Sequence, residues 1–310
     1  MRTIACMLWI TLGITLALIG QDQKPDKNPK PEKEFTISTT TRLVLLDVSV
    51  RDNSGGFVSG LTKDDFKIME DGKPQPITQF ADQDIPVAVG LVIDNSGSMR
   101  PKRSEVVTAG LAFVAASNPQ DEVFVVNFNE KVYHGLPDEV LFSDNVKQLR
   151  TALWKGESEG RTALYDALAY SLGHLDMGRR DKKTLVVVSD GGDNISKHSF
   201  KEIMNTVLSS QATIYTIGIF DEDDPDRNPG VLRQLAKVSG GTAYFPNKLE
   251  EIVPICKQIA KEIRTRYTIG YIPAVEGKKN RNIRVEVSAA GRGKLTARTR
   301  TNYLFTDENK

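Results

Sequence analysis

Asp94, Ser96 and Ser98 occupy alternate positions in the stretch IDNSGSM, directly after the apolar run IPVAVGLV. One carboxylate and two hydroxyls at that spacing are hard oxygen donors of the kind a divalent cation such as Mg²⁺ prefers. The same residues also suit a strand end followed by a turn and a helix N-cap. A second carboxylate, Asp190, closes another apolar run in VVVSDGGDN. Thr162, in GRTALYDAL, stands just before a helical pattern, where its hydroxyl is either a cap or a third neutral ligand. In open α/β sheets ligands sit outside the carboxyl ends of the strands, which is where Asp94 and Asp190 fall.

The elements that must position these oxygens follow from periodicity. Apolar strands are predicted over 86–93, 122–128, 184–189 and 213–219, with a weaker one near 242–245. Helical patterns lie between them over 101–116, 144–153, 163–175, 200–209 and 229–238, with a further helix over 249–263. Strands such as TLVVVS and EVFVVNF are apolar on both faces, as in a central sheet covered by helices on each side. The middle of the chain therefore reads as a doubly wound α/β domain with a mostly parallel sheet.

The flanks differ. In RLVLLDVSVRD, Val44, Leu46, Val48 and Val50 alternate with Asp47, Ser49 and Arg51, the pattern of a strand with one wet face. A turn at DNSGG, a capped turn at Thr62 and a hairpin around Asp71 and Gly72 follow. Alternation by two returns from Tyr267, continues through Ile283, Val285 and Val287, and resumes after a GRG turn in a strand toward Phe305. Neither flank has enough strands for a stable sandwich alone. The two are expected to pair into a composite β-sandwich, with the α/β domain inserted between them.

Several function classes lose support from composition. The chain has 310 residues, 41 Lys plus Arg against 40 Asp plus Glu, so no global charge draws it to nucleic acid. Residues 1–20 have the order of a secretory signal, and their apolar run approaches bilayer-spanning length, so the segment is expected to be cleaved or kept as an anchor. Residues 21–34, rich in Lys, Pro and acidic side chains, read as a disordered linker. With the signal removed, Cys256 is the only cysteine, which excludes an intramolecular disulfide; its apolar neighbours mark it as a core residue. His134, His174 and His198 show no zinc-ligand spacing.

Together IDNSGSM, GRTALYDAL and VVVSDGGDN, in this order, resemble the three metal-binding loops of the von Willebrand factor A domain, the integrin I-like fold. The resemblance covers about residues 84–264, between β segments at 35–82 and 265–306, and the arrangement is similar to that of secreted bacterial members. It implies that Asp94, Ser96, Ser98, Thr162 and Asp190 form a metal-ion-dependent adhesion site. It also implies a divalent cation, usually Mg²⁺ with Mn²⁺ or Ca²⁺ as alternatives, whose open position accepts a Glu or Asp carboxylate from a protein partner. With three neutral ligands, the two Asp leave the cation electrophilic toward such a carboxylate.

Other residues are candidates on position alone. Asp193 is either in the shell behind the metal or a cap of the next turn. Asp221, Asp223 and Asp224 follow a strand and should share the rim of the site, where they would select partners or hold Ca²⁺ weakly. Tyr133 and His134 read as surface residues beside a short edge strand. Lys278, Lys279, Arg281, Arg284, Arg292, Lys294, Arg298 and Arg300 read as a solvated sheet face. A phosphohydrolase of haloacid dehalogenase type also places an Asp after its first strand, but it resembles D-x-D there, and Ser96 stands in the second position. A third reading makes the metal structural and leaves binding to the β flanks.

Overall fold

The computed structural model describes residues 43–220, 225–274 and 279–305. Contacts divide the chain into Met1–Thr40, outside the described residues, and Thr41–Lys310, to which everything below refers. The expected signal and linker, and the start of the first β segment, lie in the part not described.

Among the described residues four strands precede the α/β region. In β1 (Val44–Arg51), Val44, Leu46, Val48 and Val50 are buried, as their alternation requires. Next come a single 3₁₀ turn, closed by Thr62 N–H donating to Asp65 Oδ2 at 2.7 Å, and β2 (Phe66–Glu70). β3 (Lys73–Gln75) pairs back on β2 through Asp71 and Gly72, whose φ of 48° and 80° give the doubly left-handed turn that a two-residue hairpin favours. β4 (Gln79–Ala81) completes the segment.

The central region contains β5 (Val87–Asp94), α1 (Arg103–Ala116), β6 (Glu122–Phe128), β7 (Val132–His134), α2 (Val146–Trp154), α3 (Leu164–Leu175), β8 (Lys182–Ser189), α4 (Phe200–Ser209), β9 (Thr213–Gly218), α5 (Pro229–Ser239), β10 (Ala243–Tyr244) and α6 (Ile252–Arg264). Every residue of β5, β6 and β9 is buried, which explains their lack of alternation. The sheet order is β10-β9-β8-β5-β6-β7, parallel except for the edge strand β7. The chain leaves β5 for β6 on one side and returns to β8 on the other, so the strand order reverses at β5. A crevice for ligands is expected outside the carboxyl ends of β5 and β8.

β11 (Tyr267–Tyr271), β12 (Asn280–Val287), β13 (Thr296–Arg298) and β14 (Asn302–Leu304) follow. They join the first segment in two antiparallel sheets, β13-β1-β11-β4 and β14-β12-β2-β3. Leu46, Val48, Phe66, Ile68, Ile269 and Tyr271 belong to a core separate from that of the central sheet. The mixed α/β architecture with added antiparallel sheets is the fold class expected from the sequence.

Local differences have local causes. The helix expected from residue 101 begins at Arg103, after a six-residue 3₁₀ stretch, Gly97–Lys102. The strand expected toward Phe305 is two short strands in different sheets, because the intervening Arg300 turns its guanidinium to carbonyls at the end of α4. Arg281 and Arg300 are buried rather than solvated, and Arg281 pairs with Glu70 at 2.9 Å. Tyr133 and His134 lie within edge strand β7 and are half-buried, the His134 ring 4.8 Å from that of His174. Cys256 is buried on α6, and burial pushes its thiol up to about 12. Among the described residues no helix is long and apolar enough to cross a membrane.

Candidate functional site

β5 and β8 are adjacent and parallel, so the residues closing them, Asp94 and Asp190, meet at the reversal of strand order. Both are buried, at 2% and 3% exposure. Asp94 Oδ1 accepts from Ser96 N at 2.9 Å and Oδ2 from Ser189 Oγ at 2.6 Å. Asp190 Oδ1 accepts from Gly192 N at 2.9 Å and Oδ2 from Ser98 Oγ at 2.6 Å. Ser96 Oγ and Ser98 Oγ are 3.2 Å apart, which completes a line of oxygens from one loop to the other.

Burial, and then the Asp190 carboxylate beside it, raise the Asp94 carboxyl well above the usual carboxylate range. Neither aspartate forms an ion pair with a described basic side chain. Two buried carboxylates without a counter-charge among the described residues are an electrostatic arrangement that a cation relieves.

The hydroxyls are not spent on capping. Ser96 is the N-cap of the 3₁₀ stretch, yet its side chain makes no cap hydrogen bond. α3 begins after Ala163, and its first turn is served from another loop: Tyr165 N donates to Asp193 Oδ2 at 2.9 Å, and Asp166 N to Ser196 Oγ at 3.1 Å. Thr162 is buried and tied by its backbone, its N–H donating to Asn194 Oδ1 and its carbonyl accepting from Asn194 N, both at 3.0 Å. No hydrogen bond joins the Thr162 hydroxyl to the other four residues. Five oxygen donors from three loops, without nitrogen or sulfur, fit a hard divalent cation. Among the described residues no three His, Cys, Asp or Glu side chains gather into a metal-holding group.

The loops are held together by residues the sequence reading did not single out. Ser189 orients Asp94 and itself accepts from Gly191 N at 2.9 Å. Its signal was present, a hydroxyl ending an apolar strand beside Asp190. Asn95, 1% exposed, has its carbonyl bonded to Glu159 N at 2.9 Å and its side-chain oxygen to the Arg103 guanidinium. Arg103 also reaches the carbonyls of Trp154 and Gly156 and the hydroxyl of Ser158, pinning the loop that leads to Thr162. Nothing in its sequence position marks that role. Gly191, at φ 81°, passes so close to Asn228 O that a Cβ would sit 2.4 Å from it.

Asp193 is committed to the first turn of α3 and to Ser196, whose hydroxyl donates at 2.5 Å. Of its two expected roles it has the capping one: Asp193 Oδ1 accepts from Ser196 N at 3.3 Å in the following turn, and Oδ2 serves α3 as well. Asp221, Asp223 and Asp224 lie outside the described residues.

The family model described as the von Willebrand factor type A domain matches residues 89–192. Among solved structures, a von Willebrand factor type A protein from Catenulispora acidiphila is 13% identical, with 87% of this chain and 76% of that one covered at a TM-score of 0.50. Proximal thread matrix protein 1 from the mussel byssus is 14% identical, covering 63% of this chain and 51% of that one, also at 0.50. The vWF domain of the type V pili tip protein Mfa5 from Porphyromonas gingivalis is 14% identical over 63% of this chain and 98% of that one, at 0.46. No curated protein matches the sequence. At these identities the likeness to the first two is one of fold.

Proposed function

We propose that this chain, which carries a von Willebrand factor type A domain, is a non-enzymatic module that binds a partner protein through a divalent cation. Asp94, Ser96, Ser98, Thr162 and Asp190 would hold the ion. The observation that carries this reading is the pair of buried carboxylates, without an ion-pair partner among the described residues, beside serine hydroxyls that cap no helix. Bound there, Mg²⁺, or Mn²⁺ or Ca²⁺ in its place, supplies a Lewis acid open to a Glu or Asp carboxylate of the partner. Ser189, Ser96 N–H and Gly192 N–H orient the two aspartates toward that task, and Arg103 holds the flanking loop in register.

A haloacid dehalogenase type hydrolase would need a second carboxylate at Ser96 as acid and base, and Ser96 supplies a hydroxyl only. Export is part of the proposal and rests on the apolar segment at 1–20.

Calorimetric titration with Mg²⁺ and Mn²⁺, beside Asp94→Ala and Asp190→Ala, tests the reading. One ion bound by the parent and lost in both variants supports it. No ion bound, even after acetate is added to complete the shell, sinks it. Partner capture that survives chelation would move binding to the β flanks and leave any metal a structural role.

A further inference from the structure

Lys182 opens β8 and Thr213 opens β9, at the end of the central sheet opposite Asp94 and Asp190. β8 has eight residues, so at 3.3 Å per residue about 23 Å separates that end from the oxygen cluster. Between these strand starts and β1, β4 and β11 lies a cavity of about 510 Å³, a size typical of small-molecule sites. Its lining includes the apolar Leu45, Ala81 and Ile85 and the polar Lys182, Thr299 and Arg300, while the Phe80 ring turns away into the β core beside Phe66 and Tyr267.

The polar part of the lining holds unspent hydrogen-bonding and charge capacity. Arg300 is 8% exposed. Its Nη2 donates to the carbonyls of Val207, Leu208 and Ser210 at 3.5, 3.3 and 2.7 Å, and its Nε to Asn302 O at 3.3 Å. Its Nη1 donates to none of the described residues, and the guanidinium has no carboxylate partner among them. Burial pushes the group down to about 10, which leaves it charged at neutral pH. Among the described residues Lys182, 6% exposed, has only Asp47 Oδ1 at 3.8 Å, beyond hydrogen-bond length. Thr299 Oγ1 is buried without any partner.

A buried hydroxyl left without a partner is costly, and a carboxylate placed between Thr299, Arg300 Nη1 and Lys182 would accept from all three. We propose that the cavity binds a small amphipathic monocarboxylate, its charged end against Arg300, Lys182 and Thr299 and its apolar body along Leu45, Ala81 and Ile85. Asp47 and the exposed Asp181 also line the space. These two carboxylates balance the two cations of the lining and turn away polyanions. The occupant would bridge the central sheet and the β1 sheet, apart from the metal-type site.

The test is calorimetry of the full chain with octanoate, beside octan-1-ol and inorganic sulfate. Octanoate should bind one to one, at least about tenfold tighter than either comparator, because neither combines the charge with the apolar body. Lys182→Met and Arg300→Lys should each weaken octanoate by about tenfold. Ala81→Trp should abolish binding, because its ring fills the cavity while the backbone of Ala81 keeps its pairing with Thr268. Should Arg300→Lys lose the fold by uncapping α4, the other two variants decide. Absence of saturable octanoate binding, equal binding of octanol or sulfate, or full binding by a folded Ala81→Trp protein would overturn the proposal.

Discussion

Ser98 Oγ donates a 2.6 Å hydrogen bond to Asp190 Oδ2, joining residues 92 positions apart. The bond exists because β5 and β8 lie side by side in the sheet, so the loop after each strand faces the other. It also holds one of two buried carboxylates beside its like-charged neighbour, and that tension gives the site measurable properties.

Asp94→Asn removes the repulsion between Asp94 and Asp190 while the side-chain carbonyl still accepts from Ser96 N or Ser189 Oγ. The metal-free variant should be more stable than the parent, its Tm raised by about 2–4 °C for each kcal/mol of strain relieved. It should also lose any upward shift of Tm with Mg²⁺ or Mn²⁺. Thermal melts with and without the ions check both halves; a variant that melts lower without metal contradicts the electrostatic account.

The Asp94 carboxyl is raised on folding, so in the window between its unfolded value, about 3.9, and its higher folded one the native state binds more protons. Stability of the metal-free protein should therefore fall as pH rises through that window. Saturating Mg²⁺ should flatten the fall, and so should Asp94→Asn. Urea melts across pH 4–8 give the slope.

Ser189→Ala leaves Asp94 Oδ2 without its hydroxyl donor and Gly191 N–H without its acceptor. Loss of an orienting hydrogen bond behind a metal ligand lowers affinity by roughly 10–100-fold. Mn²⁺ titration of a folded Ser189→Ala protein should show that drop, and parent-like affinity would mean that Asp94 needs no positioning.

Glu262 on α6 is fully buried and accepts from Arg266 at 3.1 Å and Arg51 of β1 at 2.8 Å. Glu262→Ala strands the buried Arg266 and should cost about 3–5 kcal/mol. Burial raises the Glu262 carboxyl, but the Arg266 and Arg51 guanidinium groups outweigh it and hold the group below its usual range. The depressed value means that its stabilisation is present above the unfolded pKa and lost as pH falls through the folded one. The gap between parent and Glu262→Gln in denaturant melts should thus be full at pH 7 and close in acid, below about pH 4.

Much of this was legible in the chain. Strands buried on both faces announce themselves as unbroken apolar runs, and half-buried ones as alternation, so the helical layers and β flanks followed from periodicity. Asp94, Ser96, Ser98 and Asp190 could be placed together because they follow apolar runs whose strand ends converge in such sheets, whereas Thr162 joined them only through the family resemblance. Ser189 could have been read by the same logic. Arg103 and Glu262 could not, since a charged residue on a helix has the same sequence signature whether it meets water or a buried partner.

What the sequence determined by itself were properties of short windows: the periods of strands and helices, the turn at Asp71 and Gly72, and the chemical type of the oxygen cluster. These depend on neighbours within a few residues. Only the tertiary structure decided which β strands share a sheet, that α3 takes its cap from Asp193 and so leaves Thr162 free, and that Arg281 and Arg300 turn inward. Each of those outcomes depends on desolvation and hydrogen bonding between groups brought together from distant parts of the chain, and no local pattern records which partner will be there.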